Sequence, residues 1–271
     1  MGILGRLRLS DVESVFNLVS ECRELWADAR AWQTHLLHGA CRLTRTAAGH
    51  YNEQVLAPDL RSTRILDEID LGWRDAAARE CVFRVHREHP NRAKFFPRCT
   101  RLAARALHGQ EATALRAHIR DDDDWYRSAM FNEYRRPGYV DGFVMSFSQN
   151  PQTGALVMIV TNQDRSDRPP TPRAAAMLSL LTRRIAPLVG TVLTTSNQRG
   201  LHGLSPRLRQ TLDALLAGDS EKQIAARLSL HPTTVHDYVG ALYRHFAVGS
   251  RGELMAYFLR RRPPQVELQM Q

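Results

Sequence analysis

Near the C-terminal end of this 271-residue chain, Thr233, Thr234, His236, Asp237 and Tyr238 form a run of hydrogen-bonding side chains directly after Pro232. Interleaved with them, Val235, Val239, Leu242 and Phe246 recur at spacings of 4, 3 and 4, the period of one buried helical stripe. The polar set therefore falls on the outer face of a helix that Pro232 opens. Hydroxyls and a helix N-terminus suit phosphate oxygens, and side chains further along can reach base edges. Asp237 can accept from a cytosine amino group, and His236 can donate or accept. Lys222, Arg207, Arg244 and Arg251 supply cations that clamp phosphates, adding salt-dependent affinity without sequence information. Double-stranded DNA is the partner this chemistry implies.

Other constellations carry less. Asp121 to Asp124 are consecutive, and consecutive carboxylates rarely converge on one cation, so they read as a solvated turn plus a helix cap. His35/His38 and His86/His89 have the spacing that puts two imidazoles on one helical face, with no third ligand apparent. No metal site and no cofactor are expected. Trp125, Tyr126, Phe131, Asn132 and Tyr134 have two readings: amphipathic aromatics lining a ligand pocket, or the packing of a helix on a sheet. No Gly-rich phosphate loop, nucleophile elbow or two-carboxylate arrangement is present, so catalysis is not expected.

The elements that must position the polar run begin at Leu204. Ser205 and Pro206 open a helix bearing Leu208, Leu212, Leu215 and Leu216, which Gly218 closes. Ser220 and Gln223 form a capping box for a short second helix with Ile224, Ala225 and Leu228 inward. Ser229-Leu230-His231 is the turn into the third helix, and a fourth, from about Arg251 to Arg260, buries Leu254, Tyr257 and Phe258. Two short helices joined by a tight turn make a helix-turn-helix, whose second helix enters the major groove.

The segments "LSPRLRQTLDALLAGDSEKQIAARLSL", "TTVHDYVGALYRHFAV" and "SRGEL" resemble the LuxR-type DNA-binding domain of bacterial transcription regulators without a gap. The resemblance implies that the middle segment is a recognition helix, about residues 232–246. The family usually has a serine or threonine cap where His231 stands, a glycine at Ala247, a basic residue at His236 and often asparagine at Asp237. Those departures motivate an alternative: a protein-interaction module whose helix-turn-helix binds another regulator rather than DNA.

Composition is that of a globular protein, 43% hydrophobic and 24% charged, with a formal net charge of +9 that favours a polyanionic partner. Lys94 and Lys222 are the lysines; the remaining positive charge is arginine. Cys22, Cys41, Cys81 and Cys99 have no C-x-x-C spacing, and no signal peptide or apolar run of ~18 residues is visible, so a cytoplasmic protein with reduced thiols and no membrane contact is expected.

Upstream, residues 10–24 read as a helix capped by Ser10 with Val12, Val15, Phe16, Val19 and Cys22 on one face, followed by a helix from Ala29 to about Leu43. "HYNEQVL" looks extended and "WRDAAARECVFRVHREH" helical, while "CTRLAARALHGQEATALRAHI" could hold a helix or a strand pair. Asp124 is expected to cap a helix carrying Trp125, Met130 and Tyr134. "YVDGFVMSFS" and "ALVMIVTN" are β-rich and joined by hairpin chemistry at Asn150–Gly154; a long helix from Arg173 to about Thr195 follows.

The run "WYRSAMFNEYRRPGYVDGF" resembles GAF-like sensor segments found ahead of LuxR-type domains. The fold expected is α+β: a GAF/PAS-like domain with an antiparallel sheet and flanking helices, then an all-α four-helix unit. The expected boundaries are 1–198 for the regulatory domain, 199–203 for a linker, 204–262 for the DNA-binding domain and 263–271 for a tail. A homodimer paired through the long helix, and a small-molecule or protein signal acting on the first domain, complete the expectation.

Overall fold

The computed structural model describes residues 5–57, 62–89, 96–195 and 204–259. The chain divides into two compact units, one within residues 1–24 and 30–189, the other within 25–29 and 190–271. The expected linker 199–203, the tail 263–271 and Lys94 lie outside the described residues.

The first unit is an α+β layer structure. Its described elements run α1 (Leu9–Glu24), α2 (Ala29–Thr44), β1 (Ala48–Leu56), β2 (Thr63–Leu71), α3 (Ala76–Glu88), α4 (Pro97–Leu107), β3 (Thr113–Leu115), α5 (Arg116–Ile119), α6 (Asp122–Arg127), a π-helical turn (Met130–Arg135), β4 (Val140–Gln149), β5 (Leu156–Asp164) and α7 (Pro172–Ile185). The sheet order is β2-β1-β5-β4-β3, and every neighbouring pair is antiparallel. Asn150 makes the β4–β5 turn by accepting from the main-chain N–H groups of Gln152 at 2.9 Å and Thr153 at 3.3 Å, and Gly154 supplies the φ of +71° that closes it.

Strand β1 is buried along nearly its whole length, so its two faces meet different layers. Tyr51 meets Trp32 of α2 edge-on at 5.5 Å, and Trp32, Leu36 and Leu37 are fully buried there. Glu53 lies on the same face, opposite Asp67 of β2, and accepts the Tyr51 hydroxyl at 2.9 Å. Gln33 donates to Asp67 at 2.7 Å. Burial pushes the Glu53 carboxyl up to about 7, against the Tyr51 hydrogen bond and helped by Asp67.

Several local expectations are corrected. Strand β2 carries no clean period-two signal, because the adjacent pairs Ile65-Leu66 and Asp67-Glu68 break the apolar–polar alternation where the register shifts, on an edge that is only half buried. The ambiguous stretch before Asp121 holds a helix, a strand and a helical turn in sequence. Asp121, rather than Asp124, caps α6, accepting from the Asp124 N–H at 2.9 Å, and Asp122 pairs with Arg116 at 2.6 Å. Trp125 belongs to α6, whereas Met130 and Tyr134 lie in the separate π-helical turn. On α1 the buried face is Asp11, Val15, Leu18, Val19 and Cys22, and Phe16 is exposed under the guanidinium of Arg184.

Helix α7 ends at Ile185, not Thr195, and passes into a 3-10 turn over Ala186–Leu188. Pro187 has no N–H to donate to a carbonyl in the preceding turn, so the α pattern stops there. Ala174, Ala175, Leu178, Leu181 and Ile185 are among its nine buried residues, and it packs on β4 and α1. Its N-terminus is tied to α1 by a bidentate pair from Arg173 to Asp11, at 2.8 and 2.5 Å. The apolar face assigned to protomer pairing is therefore occupied by the unit's own sheet and first helix.

The second unit contains α8 (Pro206–Leu216), α9 (Glu221–Leu228), α10 (Pro232–Phe246) and α11 (Arg251–Leu259). Leu212, Leu215, Ile224, Val235, Val239, Leu242, Phe246 and Leu254 form its core, the residues whose periodicity marks the inner faces. No helix among the described residues is long and apolar enough to cross a membrane.

Candidate nucleic-acid interface and ligand cavity

Each helix of the second unit starts where its sequence provides a cap. Ser205 accepts from the Leu208 N–H at 3.3 Å with Pro206 in the first turn, and Ser220 and Gln223 exchange both bonds of the capping box. Ser229 turns the chain by taking a left-handed conformation, φ +55°. His231, unlike the usual hydroxyl cap, still caps α10: its Nδ1 accepts from the Thr233 N–H at 3.4 Å and lies 3.1 Å from the Thr233 hydroxyl.

Thr233, Thr234, His236, Asp237 and Tyr238 fall in the first two turns of α10. Thr233, His236 and Asp237 are exposed, while Thr234 and Tyr238 are half-buried beside the Val235/Val239 stripe. His236 Nδ1 lies 3.2 Å from Glu221 Oε2 of α9. Among the cations, Lys222, Arg207 and Arg244 are exposed and Arg207 donates to Gln210 at 3.2 Å. Arg251 differs: it is half-buried and donates to the Leu215 carbonyl at 2.9 Å.

In the first unit, the face of the sheet opposite α2 borders a cavity of about 630 Å³. His50, Asn52 and Gln54 line it from β1; Phe143, Met145 and Phe147 from β4; Met158, Val160 and Asn162 from β5. Helices α3 and α4 close it with side chains such as Val82, Val85 and Ala103. Of the five aromatic and amide residues read from the sequence, Trp125 lines this cavity, and Tyr126, Phe131, Asn132 and Tyr134 do not. Those four fold onto their own neighbourhood: Tyr126 donates to Asp141 at 2.9 Å and meets Phe131 edge-on, Asn132 donates to the Tyr126 carbonyl, and Tyr134 donates to Glu88 at 2.5 Å.

Sequence reasoning missed Arg135, which also lines the cavity and is almost wholly buried. Its Nη2 donates to Asn162 Oδ1 at 2.6 Å, and its guanidinium sits 5.1 Å from the Phe143 ring centroid. Burial lowers its pKa to about 10. One signal for the β1 side was available: His50, Asn52 and Gln54 alternate along "HYNEQVL", a polar stripe on one face of a buried strand. Nothing local distinguished Arg135 from the other arginines.

Two short capped helices at a tight turn, with a polar outer face on the second, define the second unit as a helix-turn-helix domain. Residues 202–258 match the family model described as "Bacterial regulatory proteins, luxR family", so this segment is a LuxR-type domain. Among solved structures, "SdiA in complex with octanoyl-rac-glycerol" aligns with a TM-score of 0.45 at 14% identity, over 95% of this chain and 97% of that one. Escherichia coli SdiA in the space group P6522 aligns with a TM-score of 0.35 at 13% identity, over 84% and 90% of the two chains. No curated protein matches the chain in sequence.

Proposed function

We propose that the chain is a sequence-specific DNA-binding transcription regulator whose α10 enters the major groove and whose activity is controlled by the first unit. The exposed polar start of α10, capped by His231 and held against α9 in a LuxR-type domain, carries this reading. Thr233, Thr234, His236, Asp237 and Tyr238 are assigned to base and phosphate contact; Lys222, Arg207, Arg244 and Arg251 are assigned to phosphates. The regulatory domain is taken as 1–198, the linker as 199–203, the DNA-binding domain as 204–262 and the tail as 263–271. A GAF/PAS-like sensor role is assigned to the first, a cytoplasmic setting to the whole. The protein acts as a homodimer placing two copies of α10 in half-sites ~34 Å apart, with a protomer contact other than the buried face of α7. A small-molecule or protein signal shifts the balance between binding-competent and incompetent states by its differential affinity for them.

Selection of random duplexes by the full-length protein tests this: enrichment of one motif supports it, and failure to enrich any sequence over Thr234→Ala/His236→Ala opposes it. One observation favours the second reading, a module for another regulator: Glu221 beside His236, with Asp237 next to it, puts carboxylates where phosphates would lie. A partner protein captured with no DNA affinity at low salt would select that reading.

A further inference from the structure

We infer that the cavity of the first unit is a binding site for an amphipathic carboxylic acid, with the acid group on Arg135 and an apolar chain lying toward Phe147 and Met158. A cation buried without a counter-charge is costly, so its retention marks a place where an anion arrives. Arg135 is 8% exposed, and among the described residues no carboxylate lies within ion-pair distance of it. Its protein hydrogen bond goes to a neutral amide, Asn162, and its Nε is buried without a partner. Asp141, which acts on Arg135 from further away, is already taken by Trp125 Nε1 at 2.7 Å and the Tyr126 hydroxyl at 2.9 Å.

One more orphaned atom belongs to a residue of the same wall. Asn52 Oδ1 is buried with no hydrogen-bond partner. His50 Nε2 on the same wall faces Glu68 Oε2 at 3.6 Å. An apolar void would leave such atoms unsatisfied for nothing; a cavity made for a ligand with polar atoms accounts for them.

The sheet register gives the site a direction. Asn162 faces Phe143, Val160 faces Met145 and Met158 faces Phe147, so the floor grades from the Arg135–Asn162 end to wholly apolar side chains over four residues of β5. At ~3.3 Å per residue this apolar floor is about 13 Å long, the span of a medium-length aliphatic chain. The cavity of about 630 Å³ is within the range that takes small-molecule ligands.

Binding itself stands apart from the function proposed above; only its regulatory consequence rests on that reading. Decanoate, decanamide and decanol are titrated into the purified full-length protein and binding is followed by calorimetry, with a DNA-affinity measurement at saturating decanoate. The acid binds at least about tenfold tighter than the amide or alcohol, as a charge-assisted hydrogen bond to a buried guanidinium requires. In Arg135→Met that preference disappears while decanol still binds, which shows the cavity intact. Should Arg135→Met not fold, Val160→Trp, which fills the apolar floor, abolishes binding of all three probes. Equal binding of acid and amide to the wild type, or no binding of any probe, overturns the inference. Tight acid binding with unchanged DNA affinity upholds the site and defeats ligand control of DNA binding.

Discussion

Arg251 Nη2 donates to the main-chain oxygen of Leu215 at 2.9 Å, tying the start of α11 to the end of α8. The Leu215 carbonyl also accepts from the Gly218 N–H at 3.1 Å, so the guanidinium adds a second, charged donor at the helix C-terminus. The same guanidinium therefore has a structural task whether or not a phosphate also reaches it. Arg251→Met should destabilise the second unit by about 1.5–3 kcal/mol, the usual worth of a hydrogen bond to a charged group. Hydrogen exchange of the α8 amides reads that loss directly. Lys222→Ala, at an exposed site, should leave exchange unchanged.

Salt dependence separates positioning contacts from specifying ones. Each lost phosphate contact lowers the log–log slope of affinity against salt by about 0.9. Lys222→Ala and Arg244→Ala should each show that reduction across all sequences, by fluorescence anisotropy. Asp237→Asn should strengthen binding by removing a carboxylate near phosphates, and should shift base preference at one position. An unchanged slope in both lysine and arginine variants would remove those side chains from the interface.

Ala247 follows α10 with φ +53°, a left-handed conformation that a Cβ opposes. Glycine takes it without that strain and closes helices routinely. Ala247→Gly should stabilise the second unit by about 1 kcal/mol, measured as a higher thermal midpoint of its unfolding.

Glu53 links stability to pH. Its carboxyl titrates near 7 in the folded chain against an ordinary value of 4.5, chiefly because it is buried. Between those values the folded state binds the extra proton, so stability is highest at the acid end and falls as pH rises toward 7. Glu53→Gln keeps an acceptor for the Tyr51 hydroxyl and has no charge to bury. Denaturation at pH 5 and pH 8 should show wild type losing on the order of 3 kcal/mol more than Glu53→Gln between them.

The helix-turn-helix was legible because its signals agree: caps at Ser205 and Ser220, Pro206 and Pro232 in first turns, and one apolar stripe per helix. Where sequence and structure diverged, a local pattern met a tertiary fact. The apolar periodicity after Arg173 continues to the eye through Pro187, but the missing N–H ends the helix there. Phe16 fits the α1 stripe by type, yet Asp11 takes an inward place because Arg173 waits for it. The cavity was hidden for another reason. His50, Arg135 and Asn162 are far apart in the chain, and only the strand order β1-β5-β4 and the π-helical turn bring them to one wall. Trp125, an amphipathic aromatic by type, lines the cavity, whereas Arg135 had no local mark.

If α10 reads DNA, the sequences bound by the full-length protein share a motif. Genome-wide recovery of DNA bound to the full-length protein, run beside Thr234→Ala/His236→Ala, tests it most directly. A shared motif with two-fold symmetry is expected in the wild-type sample, and its loss in the variant. Recovery of no common motif, or of the same motif from both proteins, would contradict it.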